Sequence, residues 1–328
     1  MEVNLKYLAG LANVSVSTVS RALRDDPRVK PETREQIKKL AKKLNYVPNQ
    51  TALSLVTGKT RTIGLVLPNI RAFMHDVLDG IEEICYQREI NILLGVYNND
   101  GEKELNELNL LLQKRVDGII LFHIGSRYDY QVKEIFKDTS TPLVLLDRKI
   151  AGGSYDAVIN DNFLGSSLLV ENAVKTGAKK IAFIYEAEDV ATMKERTEGF
   201  LKALTENGLN HRSEYLITSP QHKTDNGYES MKSLCQLADP PEAVLASTGD
   251  NILGIVKYLI ENPSLIDKFH IAGFDNSEYL DLMRIPITRL DMCEREIGRC
   301  SAELLLKRID GFKGDHETVV VAPELIRR

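Results

Sequence analysis

The chain reads as an α/β protein: a small N-terminal helix-turn-helix headpiece ahead of a two-lobed body of parallel, doubly wound sheets. Three observations point there. Residues 1–61 carry 12 Lys and Arg against 5 Asp and Glu, a surplus of seven positive charges, so with a net charge of −5 the rest stands at −12. The first 45 or so residues show helical periodicity throughout. From Thr62 onward, short apolar runs alternate with amphipathic stretches, as strands alternate with crossover helices.

In chain order, Leu5, Leu8, Ala9 and Ala12 recur at helical spacing, and Asn13 stands where a left-handed residue commonly ends a helix. Ser15 suits an N-cap, with Thr18 three residues on, and Val16, Val19, Ala22 and Leu23 supply the buried stripe of a second helix. Pro31 opens a third, with Ile37, Leu40, Ala41 and Leu44 on its apolar face and Lys38, Lys39, Lys42 and Lys43 in water; Lys30 before it is a poor cap. In YVPNQTALSLVTGKTR, Pro48 can begin and Gly58 end a helix too short to persist alone in water. The body then runs TIGLVLP, VLDGIEEICYQR, NILLGVY, KELNELNLLLQKR, DGIILFH, YQVKEIFKD, PLVLLD and DAVIND, and a second such series starts at LGSSLLVENAVKTG. The expected division is a headpiece over 1–47, a hinge over 48–61 and a body over 62–328. One lobe takes approximately 62–161 and 290–320, the other 162–289 and 321–328.

Composition narrows the function. At 328 residues, 43% hydrophobic and 27% charged, the chain suits an ordinary globular protein of two or three lobes. No apolar run approaches the roughly 20 residues that span a bilayer, and the N-terminus does not resemble a signal peptide, so a cytoplasmic protein without a membrane partner is expected. Cys85, Cys235, Cys293 and Cys300 form no CxxC pair and have no nearby His, so neither a metal site nor a disulfide framework is expected. There is no GxGxxG after a strand, no GxxxxGK[ST] and no convergent nucleophile and base, which argues against a cofactor and against an enzyme.

In a helix-turn-helix the second helix enters the major groove. Val16, Ser17, Thr18 and Arg21 would then face DNA: Arg21 can bond guanine bidentately, Ser17 can reach a base or phosphate, and Val16 can touch a thymine methyl. The same pattern also suits a helical hairpin that merely packs on the body.

The runs YLAGLANVSVSTVSRAL and VKPETREQIKKLAKKLNYVPNQTALSL closely resemble the headpiece and hinge of the LacI/GalR family of bacterial transcription regulators. The resemblance continues through IGLVLPN, KRVDGIILF, LVLLDR, DNFLG, RTEGFLKAL, PPEAVLAS, GFDN and IGRCSAELLLKRIDG, and so covers essentially the whole chain. It implies a homodimer on a near-palindromic double-stranded DNA operator, with the hinge segments pairing as helices in the minor groove. It also implies that Leu55 is wedged into the central base step, that Asn49 and Gln50 lie at backbone phosphates, and that Ala52 belongs to the same DNA-binding surface.

The body also resembles periplasmic sugar-binding proteins, which implies a small-molecule effector closed between two lobes. Family positions lining that cleft fall on Phe73, Phe122, Asp147, Arg196, His222, Asp250 and Asp275. Phe73 would pack on the ligand, Asp147 would accept hydroxyls, and Arg196 would grip adjacent hydroxyls with Asp275 across the cleft, while His222 falls near an aromatic stacking position. The chain departs from the family at Gly249, Arg289 and Met292, which bears on which ligand fits. A sugar or sugar derivative is the expected effector, with a nucleoside or nucleobase as the alternative. A transporter's solute-binding protein would share the body but carry an export signal and no headpiece.

Overall fold

The computed structural model describes residues 4–47, 54, 58–70, 73–186, 191–219, 224–274, 280, 282–283 and 285–326. The chain divides into two compact units, Met1–Thr60 and Arg61–Arg328.

In the first unit, α1 (Leu5–Ala12) ends at Asn13, which is left-handed at φ 49°, and α2 (Val16–Leu23) begins at Ser15, whose Oγ accepts from the Thr18 amide at 3.1 Å. These are the turn and cap that the side chains favour. Pro31 opens α3 (Pro31–Lys43), and Lys30 gives no side-chain cap. Leu8, Ala9, Val19, Ala22, Val29, Ile37 and Ala41 form the core of the three helices. Val16 corrects one expectation: it is 40% exposed rather than part of the buried stripe, because it opens the first turn of α2, beyond the reach of the core that covers Val19 and Ala22. Of the expected hinge helix, the described residues include Ser54 and Gly58; the Gly58 amide donates to the Ser54 carbonyl at 2.8 Å, and Gly58 has φ +70°.

The second unit holds two six-stranded sheets. The first has the order β11 (Thr318–Val321), β5 (Asp156–Asn160), β4 (Leu143–Leu146), β3 (Gly118–Phe122), β1 (Thr62–Leu67), β2 (Asn91–Val96). The second has the order β12 (Glu324–Ile326), β10 (Ile287–Asp291), β9 (His270–Gly273), β8 (Ala243–Ala246), β6 (Ile181–Glu186), β7 (Leu216–Ser219). All pairings are parallel except β10 with β12. Central strands such as GIILF and AVLA are buried along their whole length, as helices on both faces require.

On one face of the first sheet lie α4 (Phe73–Gln87) and α11 (Glu294–Ile309). On the other lie α5 (Gly101–Gln113) and α6 (Asp129–Phe136). The second sheet is covered by α7 (Asn162–Lys175) and α8 (Ala191–Glu206) on one face, and by α9 (Thr224–Cys235) and α10 (Gly249–Glu261) on the other. Asp100, Asp161 and Thr248 cap α5, α7 and α10 with their side chains, so these helices start at the strand ends.

Glycines bring the helices unusually close. A Cβ on Gly298 of α11 would overlap the Val77 carbonyl of α4, and one on Gly80 of α4 would overlap the Arg295 carbonyl of α11. Gly298→Ala is therefore expected to cost about 1–3 kcal/mol through overpacking against backbone, read as a lower urea midpoint. An unchanged midpoint would mean that α4 and α11 slide apart freely.

The chain passes between the lobes three times: at Asn160–Asn162, after β10 at Asp291–Cys293, and between β11 and β12. Leu290 and Asp291 pair with Leu325 and Glu324 in the second sheet, whereas Val321 pairs with Asn160 in the first. The passages thus lie a residue or two beyond the approximate seams at 290 and 321. The three segments are joined: the Asn160 Nδ2 donates to the Met292 carbonyl at 2.7 Å, and the Asp161 amide donates to the Val321 carbonyl at 3.1 Å.

Candidate functional site: headpiece face and inter-lobe cleft

On α2, Val16 and Ser17 are exposed and Thr18 and Arg21 half-buried. The Ser15 hydroxyl holds those of Ser17 and Thr18, each at 2.8 Å, which fixes the first turn that would meet a groove. The acidic residues beside this helix are neutralised locally: Asp26 pairs with Arg28 at 2.6 Å and Asp25 with Lys38 at 2.5 Å. Hydrogen bonding to Arg28 holds the Asp26 carboxyl well below its ordinary range. Asn49, Gln50, Ala52 and Leu55 lie outside the described residues, as do His222 and Asp275.

The cleft is built at the C-terminal ends of the strands, where open parallel sheets bind ligands. Phe122 ends β3, and its ring meets that of Phe73 edge-on at 6.5 Å. Phe73 packs against core residues of both lobes. Asp147 follows β4 in a left-handed conformation, φ +65°, which a non-glycine residue holds only under constraint from its surroundings. Arg148 supplies part of that constraint: its guanidinium lies 4.9 Å from the Phe122 ring centroid, and Nη1 donates to the Ile124 carbonyl at 2.8 Å.

Behind these residues is a buried polar brace. The two ring nitrogens of His123 lie 2.8 Å from Glu104 Oε1 and 2.9 Å from Asp129 Oδ1. The other oxygens of those carboxylates accept from the amides of Ile124 and Ala151. The loops carrying Phe122 and Asp147 are thereby tied to α5 and α6.

From the other lobe, Arg196 of α8 presents its Nε to Asn162 Oδ1 at 2.8 Å and its Nη1 to the Ser247 carbonyl at 2.5 Å. Its guanidinium stacks 4.1 Å from the Phe274 ring centroid. Burial pulls Arg196 down to about 10, opposed by Asp147 and Glu186, so it remains cationic at neutral pH. Burial pushes the Asp147 carboxyl up, opposed by Arg148 and Arg196. Glu195 is also pushed up, first by burial and then by repulsion from Asp147 and Asp161, although Asn162 donates to it. Two buried acceptors, Ser247 Oγ and Asn160 Oδ1, have no hydrogen-bond partner among the described residues.

The structure thus brings Asp147 within electrostatic range of Arg196 and sets the Phe73 ring against that of Phe122. Asp250 stands in the first turn of α10, and no hydrogen bond joins it to that cluster among the described residues. Sequence reasoning missed Asn162, Glu186, Glu195, Ser247 and Phe274. Their shared signal is position, since each lies at a strand end or on the helix that follows. Among the described residues no helix is long and apolar enough to cross a membrane.

Residues 4–49 match the family model for bacterial regulatory proteins of the lacI family, and residues 170–328 match a periplasmic binding protein-like domain. The HTH-type transcriptional repressor PurR of Mannheimia succiniciproducens is 30% identical over 327 residues, covering 99% of this chain and 97% of that protein. Catabolite control protein A of Priestia megaterium is 31% identical over 310 residues, covering 94% and 92%. The lac repressor dimer, solved on operator with the anti-inducer ONPF, superposes with a TM-score of 0.87 at 22% identity, covering 100% of this chain and 98% of that one. The regulator CelR, solved with cellobiose, superposes at 0.74 with 24% identity, covering 99% and 98%. Headpiece, two-lobed body and near full-length relatives agree: the chain belongs to the lacI family of bacterial regulatory proteins, and is a transcriptional regulator with a ligand-binding body rather than an enzyme.

Proposed function

We propose that this protein is a cytoplasmic, homodimeric repressor that reads a near-palindromic operator with Val16, Ser17, Thr18 and Arg21, and that a sugar or sugar derivative in the inter-lobe cleft sets its DNA affinity. The observation that carries the effector reading is Arg196. Two of its nitrogens are committed to Asn162 and Ser247, no hydrogen bond from Nη2 is found among the described residues, and the guanidinium acts electrostatically on the buried Asp147 carboxyl. A rigid donor beside a desolvated acceptor suits adjacent hydroxyls, each of which donates and accepts. The orphan oxygens of Ser247 and Asn160 add capacity for a polar ligand. A nucleobase is the second reading, favoured by the Phe73 and Phe122 rings, but Arg148 already covers the Phe122 ring and leaves it less able to stack on a base. The cellobiose held by CelR also favours the sugar.

The test is selection of bound sequences from random duplexes by the full-length protein, repeated with panels of sugars and of nucleosides, and a salt titration of the winner. A near-palindrome, a steep salt dependence and a response to sugars are expected. Sequence-independent binding under every condition would overturn the repressor reading, and a response to nucleosides alone would overturn the sugar.

A further inference from the structure

Leu145 of β4 and Ala157 of β5 face the side of the first sheet that carries α5 and α6, and Ile150 and Tyr155, from the loop 147–155 between those strands, pack into the same core. Between that loop and the segment 314–318 leading into β11 lies a cavity of about 620 Å³ that neither DNA reading nor the inter-lobe cleft uses. Leu145, Ile150 and Tyr155 give it an apolar floor, and Lys149, Ser154, Asp315 and His316 a polar rim. That is the size and lining of a small-molecule site, since such cavities run roughly 300–1,000 Å³ with apolar walls and a few polar groups.

Both walls are held from behind. The Ala151 amide donates to Asp129 Oδ2 at 2.9 Å, its carbonyl accepts from Lys133 Nζ at 3.0 Å, and the Phe136 ring meets that of Tyr155 edge-on at 6.5 Å. Opposite, the carbonyls of Gly314 and Asp315 each accept from Arg308 at 2.6 Å, and Thr318 pairs with Ala157 in the sheet. The cavity is therefore formed before any ligand arrives, and filling it costs little ordering.

The rim is biased toward anions. Lys149 stands on one wall and His316 on the other, with the Ser154 hydroxyl on the same loop as Lys149 and Lys133 behind that loop. Asp315 is the acidic side chain of the rim. The carboxylates next to His316 are already matched: Arg308 holds both oxygens of Asp156, which lies 3.6 Å from the His316 ring, and Glu317 pairs with Lys307 at 2.6 Å. Burial pushes the Tyr155 phenol up, so its hydroxyl stays a neutral donor at ordinary pH.

We propose that this cavity is a second ligand site, taking a small organic anion, a carboxylate or a phosphate ester, with an apolar or aromatic body. The body lies on Leu145, Ile150 and Tyr155 while the charge sits between Lys149 and His316, where charge-assisted hydrogen bonds are strongest. Occupancy bridges the loop that begins at Asp147 to the segment that enters β11. Lys149 also acts electrostatically on Glu195 of α8, in the other lobe, which gives a bound anion a route to the inter-lobe cleft. The site holds whichever compound the cleft takes.

The test titrates phenyl phosphate, benzoate and benzyl alcohol into the full-length protein, followed by saturation-transfer NMR. At least one of the two anions is expected to bind with a Kd of about 1 mM or tighter, the range open to a small fragment, and the tighter of them tells a phosphate ester from a carboxylate. Benzyl alcohol, which keeps the ring and loses the charge, is expected to bind at least about tenfold more weakly, and Lys149→Met and His316→Gln are each expected to weaken the anion about tenfold. Both residues are exposed, so the variants should fold as the parent does, which circular dichroism checks. No binding of either anion up to about 10 mM, equal affinity for benzyl alcohol, or unchanged affinity in both variants would overturn the site.

Discussion

Arg308→Met is expected to destabilise the body by about 3–5 kcal/mol, the cost of removing one partner from a buried ion pair and leaving the other charge uncompensated. Arg308, near the end of α11, donates from Nε and Nη2 to both oxygens of Asp156, at 2.6 and 2.8 Å. The side chains are 9% and 2% exposed, so water replaces the lost cation poorly. Burial opposes ionisation of Asp156, but Arg308 and the Glu317 amide overrule it and hold the carboxyl below its ordinary value. That stability is present at neutral pH and is lost as pH falls through the lowered value. Arg308 also reaches the carbonyls of Gly314 and Asp315, so its loss loosens the approach to β11 as well. Urea unfolding followed by circular dichroism measures the effect, and adding Asp156→Asn to the Arg308→Met variant should restore part of it. A loss below about 1 kcal/mol would mean that solvent reaches Asp156 freely.

Arg196→Met is expected to abolish the effector response while operator binding survives. The variant keeps apolar bulk over Phe274 but deletes the donors to Asn162 and the Ser247 carbonyl and, on the proposed reading, to the ligand. Truncating a buried charge-assisted contact costs roughly 2–5 kcal/mol, so effector affinity should fall on the order of 100-fold or more. Titration calorimetry with the compound found by operator selection, beside a gel-shift of the unliganded protein, separates the two outcomes. Unchanged effector affinity would place the ligand elsewhere, and lost operator binding without ligand would make Arg196 structural.

The headpiece was legible because its signals are local. Asn13, Ser15 and Pro31 act on the next few residues, and the structure uses each as its chemistry suggests. Val16 was misread as partly buried because a residue in the first turn of a helix can satisfy two faces of a periodic pattern until packing chooses one. The strands of the body were legible from their apolar runs. The sequence reading divides the lobes at 321, and Pro323 stands between β11 and β12, but nothing in the three residues of ELI marks that β12 pairs antiparallel. The cleft was legible only in part: Asp147 and Arg196 come from the family pattern, whereas Asn162, Glu186 and Ser247 meet Arg196 or its field only once three strand ends converge. Nothing local marks Gly80 and Gly298 as opposing residues, because their meaning lies in the helix each one faces.

The three passages between the lobes, pinned together by Asn160 and Asp161, also order events during synthesis. The headpiece is contiguous and can fold as soon as it emerges, as N-terminal units generally do. Neither sheet is contiguous. The first needs β11, and its main core needs Ile297, Leu304 and Leu305 of α11, while the second needs β12 for its edge. A nascent chain that has reached β10 therefore carries a folded DNA-reading unit on a body whose first lobe is still open on one face. The basic headpiece is finished well before the part that regulates it.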